Sequence, residues 1–279
     1  LTADGADVCD TILHEYGHEV MWDGYGQWMP SGDCPSPHYV NRVTAPHCAW
    51  YEGFANWYKC VVSGDPVYHW SDGGSISFDT PTWSTPNWDD GDECEGRVCG
   101  ALWDIGDPDV DGYDTCDLDW EVFWDTWYGS THRHDDFSEV WTRWKSVGNP
   151  KPHATKALYQ NTIDYNTWPT FTGIPNISTP EDTPDNNALD LWDYAYDPES
   201  YDSELVYTIV GNTNANCGVS IDTGDYVDVD PADNWYGYSD VTIRCTDGIR
   251  SRDDTFRVTV TSVNDAPVLS SIPNALIAP

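Results

Sequence analysis

Three residues near the start of the chain carry the clearest chemistry. His14, Glu15 and His18 stand together in HEYGH. Two neutral imidazoles can bind a divalent cation, and the carboxylate between them can take a proton from an adjacent water. Both rings must then share one face. Asp10–Trp22, read as an α-helix of 3.6 residues per turn, sets positions i and i+4 nearly above one another. A zinc ion held this way needs a third protein ligand and leaves a fourth position for water. His14 and His18 are therefore candidate Zn²⁺ ligands, and Glu15 is a candidate general base.

The third ligand has to come from another rigid element. In His47–Val62 (HCAWYEGFANWYKCVV), Trp50, Phe54, Trp57 and Val61 recur at three- and four-residue spacing, which predicts an amphipathic helix. Glu52 lies on its more polar side, followed by Gly53. HEYGH followed by WYEGFANW resembles the gluzincin (HExxH...E) zinc metallopeptidases. The resemblance implies that His14, His18 and Glu52 bind zinc, that Glu15 is the general base, and that the substrate is a peptide or protein. The spacing departs from the family's usual pattern: 34 residues separate His18 from Glu52, as a disulfide-bearing insert would require. His38 in that insert and His47 beyond it are isolated loop histidines, expected to be solvated. The family also uses a downstream His or Tyr to stabilise the oxyanion, and His132 and His134 in GSTHRHDDF are the nearest candidates. Glu93–Ile105 reads as a further helix, with Arg97 facing either a cleft or a surface carboxylate.

Composition narrows the setting. The chain has 279 residues, with 48 acidic against 12 basic side chains and a net charge of −36. Phosphate contacts need Lys and Arg, so a nucleic-acid partner is not expected. Hydrophobic content of 39% with 16 Trp and 17 Tyr is enough for packed cores rather than a disordered tail. Nine cysteines suit an oxidising compartment, which points to a secreted or cell-surface protein. No apolar run approaches the length of a membrane span. The chain reads as a mature or trimmed fragment, lacking an N-terminal subdomain before the first helix.

Asp107, Asp109 and Asp111, followed by Gly112, form D-x-D-x-D-G, the alternating oxygen ligands and glycine turn of Ca²⁺ loops. Leu118 stands where an EF-hand would place its glutamate, so a different Ca²⁺ loop is expected.

From Thr167 the composition shifts to Pro, Thr and Gly, marking a linker. Beyond it LVYTIV, YVDVD, DVTIRCTD and TFRVTV alternate apolar and polar residues between turn signals, the pattern of a β-sandwich. Cys217 and Cys245 are placed to pin loop to strand within it. EDTPDNN, DPADNWYGYSDVTIRCTDG and VNDAP resemble the cadherin-like or Ig-like tandem repeats of large secreted proteins. Ile174-Pro175-Asn176 recurs as Ile272-Pro273-Asn274, which places the start of a further repeat, or an exchanged strand, at the C-terminal end. The resemblance implies Glu181, Asp197, Asp247 and Asp265 as Ca²⁺ ligands at repeat boundaries. Asn176-Ile177-Ser178 is a glycosylation sequon.

The expected architecture is multidomain: a mainly α metallopeptidase-like domain over residues 1–168, an all-β sandwich over 169–266, and the remnant 267–279. The expected function is a secreted zinc endopeptidase, with Zn²⁺ and Ca²⁺ as cofactors. The alternative is an extracellular fibre or surface-layer subunit that forms a homopolymer through β-repeats or strand exchange. A carbohydrate-binding role rests only on aromatics such as Trp83, Trp88 and Trp235.

Overall fold

The computed structural model describes residues 3–32, 34–79, 85–128, 132–267 and 269, with side chains from residue 9 onward. The chain divides into two compact units, Leu1–Thr167 and Trp168–Pro279. Helix and strand are both well represented, with the α-helices in the first unit and most of the strands in the second.

The first unit is mainly helical. Helix α1 (Ala3–Gly24) and helix α2 (Pro46–Ser63) are followed by a hairpin of strands β1 (Val67–His69) and β2 (Ser75–Ser77), then helices α3 (Glu95–Gly106), α4 (Trp120–Trp127), α5 (Phe137–Ser146) and α6 (Pro152–Gln160). Pro46 starts α2, where its missing N–H costs nothing. Gly64, with φ of 64°, ends α2 by donating back to the Cys60 and Val61 carbonyls. Asp119 and Asp136 cap α4 and α5 through bonds from Glu121 N and Glu139 N. The core is aromatic: Phe54 meets Trp127 at 4.5 Å and Trp57 meets Phe123 at 4.8 Å, both edge-to-face.

Two glycines set how closely the site-bearing helices approach. A Cβ on Gly17 of α1 would lie 2.9 Å from the Cα of Ala55 in α2. A Cβ on Gly53 would lie 2.8 Å from both the Glu95 carbonyl oxygen and the Val98 side chain of α3. Gly17 stands between His14 and His18, and Gly53 follows Glu52. Each glycine therefore brings its ionisable neighbours toward the facing helix.

The segment between α1 and α2 is fixed at both ends. A disulfide joins Cys34 to Cys48, 14 residues apart, and so ties the loop to α2. Gly96 N donates to Val40 O and Thr44 N to Glu93 O, lacing the same loop onto the start of α3. Closing a loop of this size removes unfolded-state entropy worth about 3 kcal/mol. The Cys34→Ser, Cys48→Ser double variant is expected to lose about that much stability in denaturant titration, while an unchanged midpoint would contradict the role given to this bond.

The second unit is all β. Strands β3 (Thr170–Phe171), β4 (Ile177–Pro180), β5 (Asp185–Asp190), β6 (Ala195–Tyr196), β7 (Val206–Asn212), β8 (Val219–Ile221), β9 (Tyr226–Val229), β10 (Gly237–Thr246) and β11 (Ser251–Thr261) form a four-stranded sheet, β4-β11-β10-β7, and a three-stranded sheet, β5-β9-β8. A short pair β3-β6 completes it. The long β10–β11 ladder is antiparallel, whereas β11 pairs β4 in parallel. Val227 and Val229 from one sheet share a single core with Val241, Ile243, Phe256 and Val258 from the other, which makes a sandwich. One sequence expectation changes here. Cys217 and Cys245 are both buried free thiols rather than partners, because Cys217 Sγ faces Asn212 Oδ1 at 3.6 Å instead. The expected repeat remnant 267–279 lies almost wholly outside the described residues, as does Trp83.

Candidate metal centre

The close approach of α1 and α2 puts His14, His18 and Glu52 together. His14 Nε2 lies 3.1 Å and His18 Nε2 3.6 Å from Glu52 Oε2. Ligands on a tetrahedral zinc with bonds of about 2.0–2.1 Å stand roughly 3.3 Å apart, so these separations bracket the spacing such an ion requires. One ligand atom from each residue lies within 4.8 Å of the others. Glu52 is buried, and both histidines are half-buried. The donor set, two imidazole nitrogens and a carboxylate oxygen, is one that zinc accepts.

The ring orientations have separate causes. His14 Nδ1 bonds Asn56 Oδ1 at 2.9 Å. An Nδ1–H donated to that amide oxygen would leave Nε2 as the atom that binds a metal. Asn56 lies four residues after Glu52, on the same face of α2. His18 is held differently, stacked on Tyr51 with ring centroids 3.8 Å apart and an interplanar angle of 18°. Its Nδ1 is buried with no protein partner among the described residues. Burial alone would push the Glu52 carboxyl up, but hydrogen bonds and charge from His14 and His18 outweigh it and hold the group at about 2. Losing a carbonyl that orients a metal-binding ring costs about 10–100-fold in metal affinity. Asn56→Ala is expected to weaken zinc binding by that factor in a competition titration with a chromogenic chelator. An unchanged affinity would remove Asn56 from the site.

Glu15, one residue on from His14, is exposed, and its charge reaches Tyr51 and Tyr68. A cleft of about 470 Å³ opens against His14 and Glu52, lined also by Tyr39, Asn41, Tyr68 and Trp70. A second hollow that also reaches Glu52 is lined by Met29, His47 and Tyr51.

The loop histidines are not the solvated pair expected. His38 lines the first cleft, with Nδ1 3.0 Å from Glu95 Oε2 and Nε2 3.7 Å from Glu52 Oε1. The bond to Glu95 raises its pKa above the ordinary histidine value, against the opposing effect of burial. His47 lines the second hollow, its Nε2 buried. The downstream histidines go elsewhere. His134 is buried with Nδ1 3.2 Å from the Tyr25 hydroxyl, and desolvation lowers its pKa to about 4. His132 lies half-buried beside it, and neither lines the two hollows. Arg97 is also buried away from the cleft, donating to Asp89 O at 3.0 Å under the Trp88 ring.

The acidic loop forms a second, separate cluster. Asp107 Oδ1 accepts from Asp109 N at 3.0 Å, and Asp111 Oδ1 from Gln160 Nε2 at 2.6 Å. Asp104, with amide bonds from Gln160 and Asn161, and Asp79 and Asp114 join them from positions the motif does not include. In the β unit, Glu181 Oε1 accepts from Val263 N at 2.6 Å, and Asp197 and Asp247 each cap a turn through two backbone amides. Burial first, and then charge from Asp247 and Glu199, raises the Asp197 carboxyl above its ordinary value, while Asp265 is exposed. Asn176 is exposed, with its Oδ1 bonded by Arg257 N.

A histidine–histidine–carboxylate set beside a cleft, carried on a helical unit, defines a candidate metal centre on an α scaffold. Residues 1–162 match the mycolysin C-terminal domain, and the chain belongs to that family. Domains of this family are found in secreted, peptidase-associated proteins. A comparison with curated proteins gives no match. Among solved structures, the chain is similar to the extracellular cadherin domains 1–4 of protocadherin gamma B7, at 23% identity and a TM-score of 0.29. That similarity covers 35% of this chain and 25% of the other, so the chain spans about a quarter of the protocadherin fragment. It is also similar to an endo-fucoidan hydrolase of glycoside hydrolase family 107, at 17% identity and a TM-score of 0.25, over 34% of this chain and 14% of that one. Among the described residues no helix is long and apolar enough to cross a membrane.

Proposed function

We propose that the helical unit is a secreted zinc-dependent endopeptidase domain, with His14, His18 and Glu52 as the ligands. The observation that carries this reading is the gathering of those three donor groups within 4.8 Å at the edge of a cleft. Zinc held by this set would lower the pKa of a bound water and polarise the scissile carbonyl. Glu15 takes the water's proton as general base and returns it to the leaving amine as general acid. Asn56 and Tyr51 hold the two rings in place, and Tyr39, Tyr68 and Trp70 offer apolar faces to a bound peptide. Glu52 and Glu95 line the cleft and favour basic or neutral side chains over acidic ones. Ca²⁺ remains the cation expected from D-x-D-x-D-G at Asp107–Gly112.

The test is cleavage of a diverse peptide mixture by the purified chain, read by mass spectrometry. Cleavage is expected to stop on chelation and return with zinc. A folded, zinc-loaded chain that cuts no peptide would overturn the reading.

A further inference from the structure

Glu52 presents its two oxygens to different histidines. Oε2 faces His14 and His18, while Oε1 faces His38 at 3.7 Å. His38 in turn meets Glu95 Oε2 at 3.0 Å, and one ligand atom from each of His38, Glu52 and Glu95 falls within 4.8 Å of the others. Glu52 and Glu95 are both buried. Among the described residues their ion-pair partners are histidines, not Lys or Arg. Glu95 sits in the first turn of α3, where the helix dipole favours a carboxylate. The dipole does not account for a histidine inserted between two buried carboxylates. Nor does it account for the bracing of that histidine's loop by the Cys34–Cys48 disulfide on one side and the Val40–Gly96 hydrogen bond on the other. Rigid support of this kind is what a metal ligand needs.

We infer that His38, Glu52 and Glu95 form a second divalent-cation site, with Glu52 bridging it to the site of His14 and His18. One imidazole and two carboxylates suit zinc, and carboxylate-rich two-metal sites hold their ions about 3.5–4 Å apart. The second cation faces the cleft, where it would hold the carbonyl or terminal group of a bound peptide. The inference rests on the zinc reading of His14, His18 and Glu52, and the experiment separates the two.

The full chain is stripped with chelator, reloaded with excess zinc, dialysed, and its zinc counted by mass spectrometry beside a His38→Gln, Glu95→Gln variant. The expected result is one fewer retained zinc per chain in the variant. Equal counts in both proteins would overturn the second site while leaving the first intact. No retained zinc in the wild-type chain would overturn both. Should circular dichroism show the variant unfolded, an anomalous map of zinc-loaded wild-type crystals decides. A peak against Glu52 Oε1 and His38, about 3.5–4 Å from the first, supports the site. A single peak at His14 and His18 overturns it.

Discussion

Glu15→Gln is expected to lower peptide hydrolysis by about 10²–10⁴-fold while leaving zinc content and melting temperature unchanged. Glutamine keeps the shape of the side chain and removes the basic oxygen. Glu15 is exposed, and none of the hydrogen bonds or ion pairs among His14, His18, Glu52 and Asn56 uses it, so its loss is expected to leave the candidate metal centre undisturbed. The split between activity and zinc content is what identifies a base rather than a ligand. A parallel fall in both would mean that Glu15 supports the site structurally. Unchanged hydrolysis would remove it from the mechanism.

The second large effect concerns the acidic cluster and pH. Burial first, and then neighbouring carboxylates, push Asp107 and Asp114 up to about 7 and Asp104 well above its ordinary value. Asp79 and Asp111 add negative charge. The neutral donors are Gln160, Asn161 and Trp103, with no Lys or Arg pairing to these carboxylates among the described residues. Folded-state pKa values above the unfolded value of about 3.9 mean that the native state binds the extra protons, so stability is lost as pH rises toward 7. His134 works oppositely: held neutral to about pH 4, it costs stability as pH falls below the ordinary histidine value. That is one group against four, since burial raises Asp111 as well. Without divalent cations, melting temperature is expected to be about 5–10 °C higher at pH 5 than at pH 8, or roughly 2–3 kcal/mol after solvent screening. Most of the 16 tryptophans lie in the first unit, so their fluorescence reports it. If D-x-D-x-D-G binds calcium, millimolar Ca²⁺ should restore the loss at pH 8 and do little at pH 5, where protons compete. An apo protein equally stable at both pH values would contradict the account of these carboxylates.

The parts of the centre that follow a helical period were legible before any fold was known. His14 and His18 share a face by spacing alone, and Glu52 was marked by its place in an amphipathic helix. Asn56 obeyed the same rule, four residues after Glu52, but an amide inside an aromatic helix has no signature of its own. His38 and Glu95 were not legible, because their meeting depends on a loop lacing onto α3 and on the close packing that Gly53 permits. Asp79, Asp104 and Asp114 were missed for a similar reason: they reach the D-x-D-x-D-G turn from a hairpin exit, a helix end and a loop. His134 read as a cleft residue from its place downstream, yet tertiary packing set it under Tyr25. In the β unit, alternation marked β7, β9, β10 and β11, while the polar, irregularly paired DNNALD of β5 gave no such signal.

The central claim is that His14, His18 and Glu52 hold one zinc ion. Diffraction data from zinc-loaded crystals, collected on either side of the zinc absorption edge, test it most directly. The account predicts an anomalous peak about 2.0–2.2 Å from His14 Nε2, His18 Nε2 and a Glu52 carboxylate oxygen. Zinc seated elsewhere, with these three side chains unliganded, would contradict it.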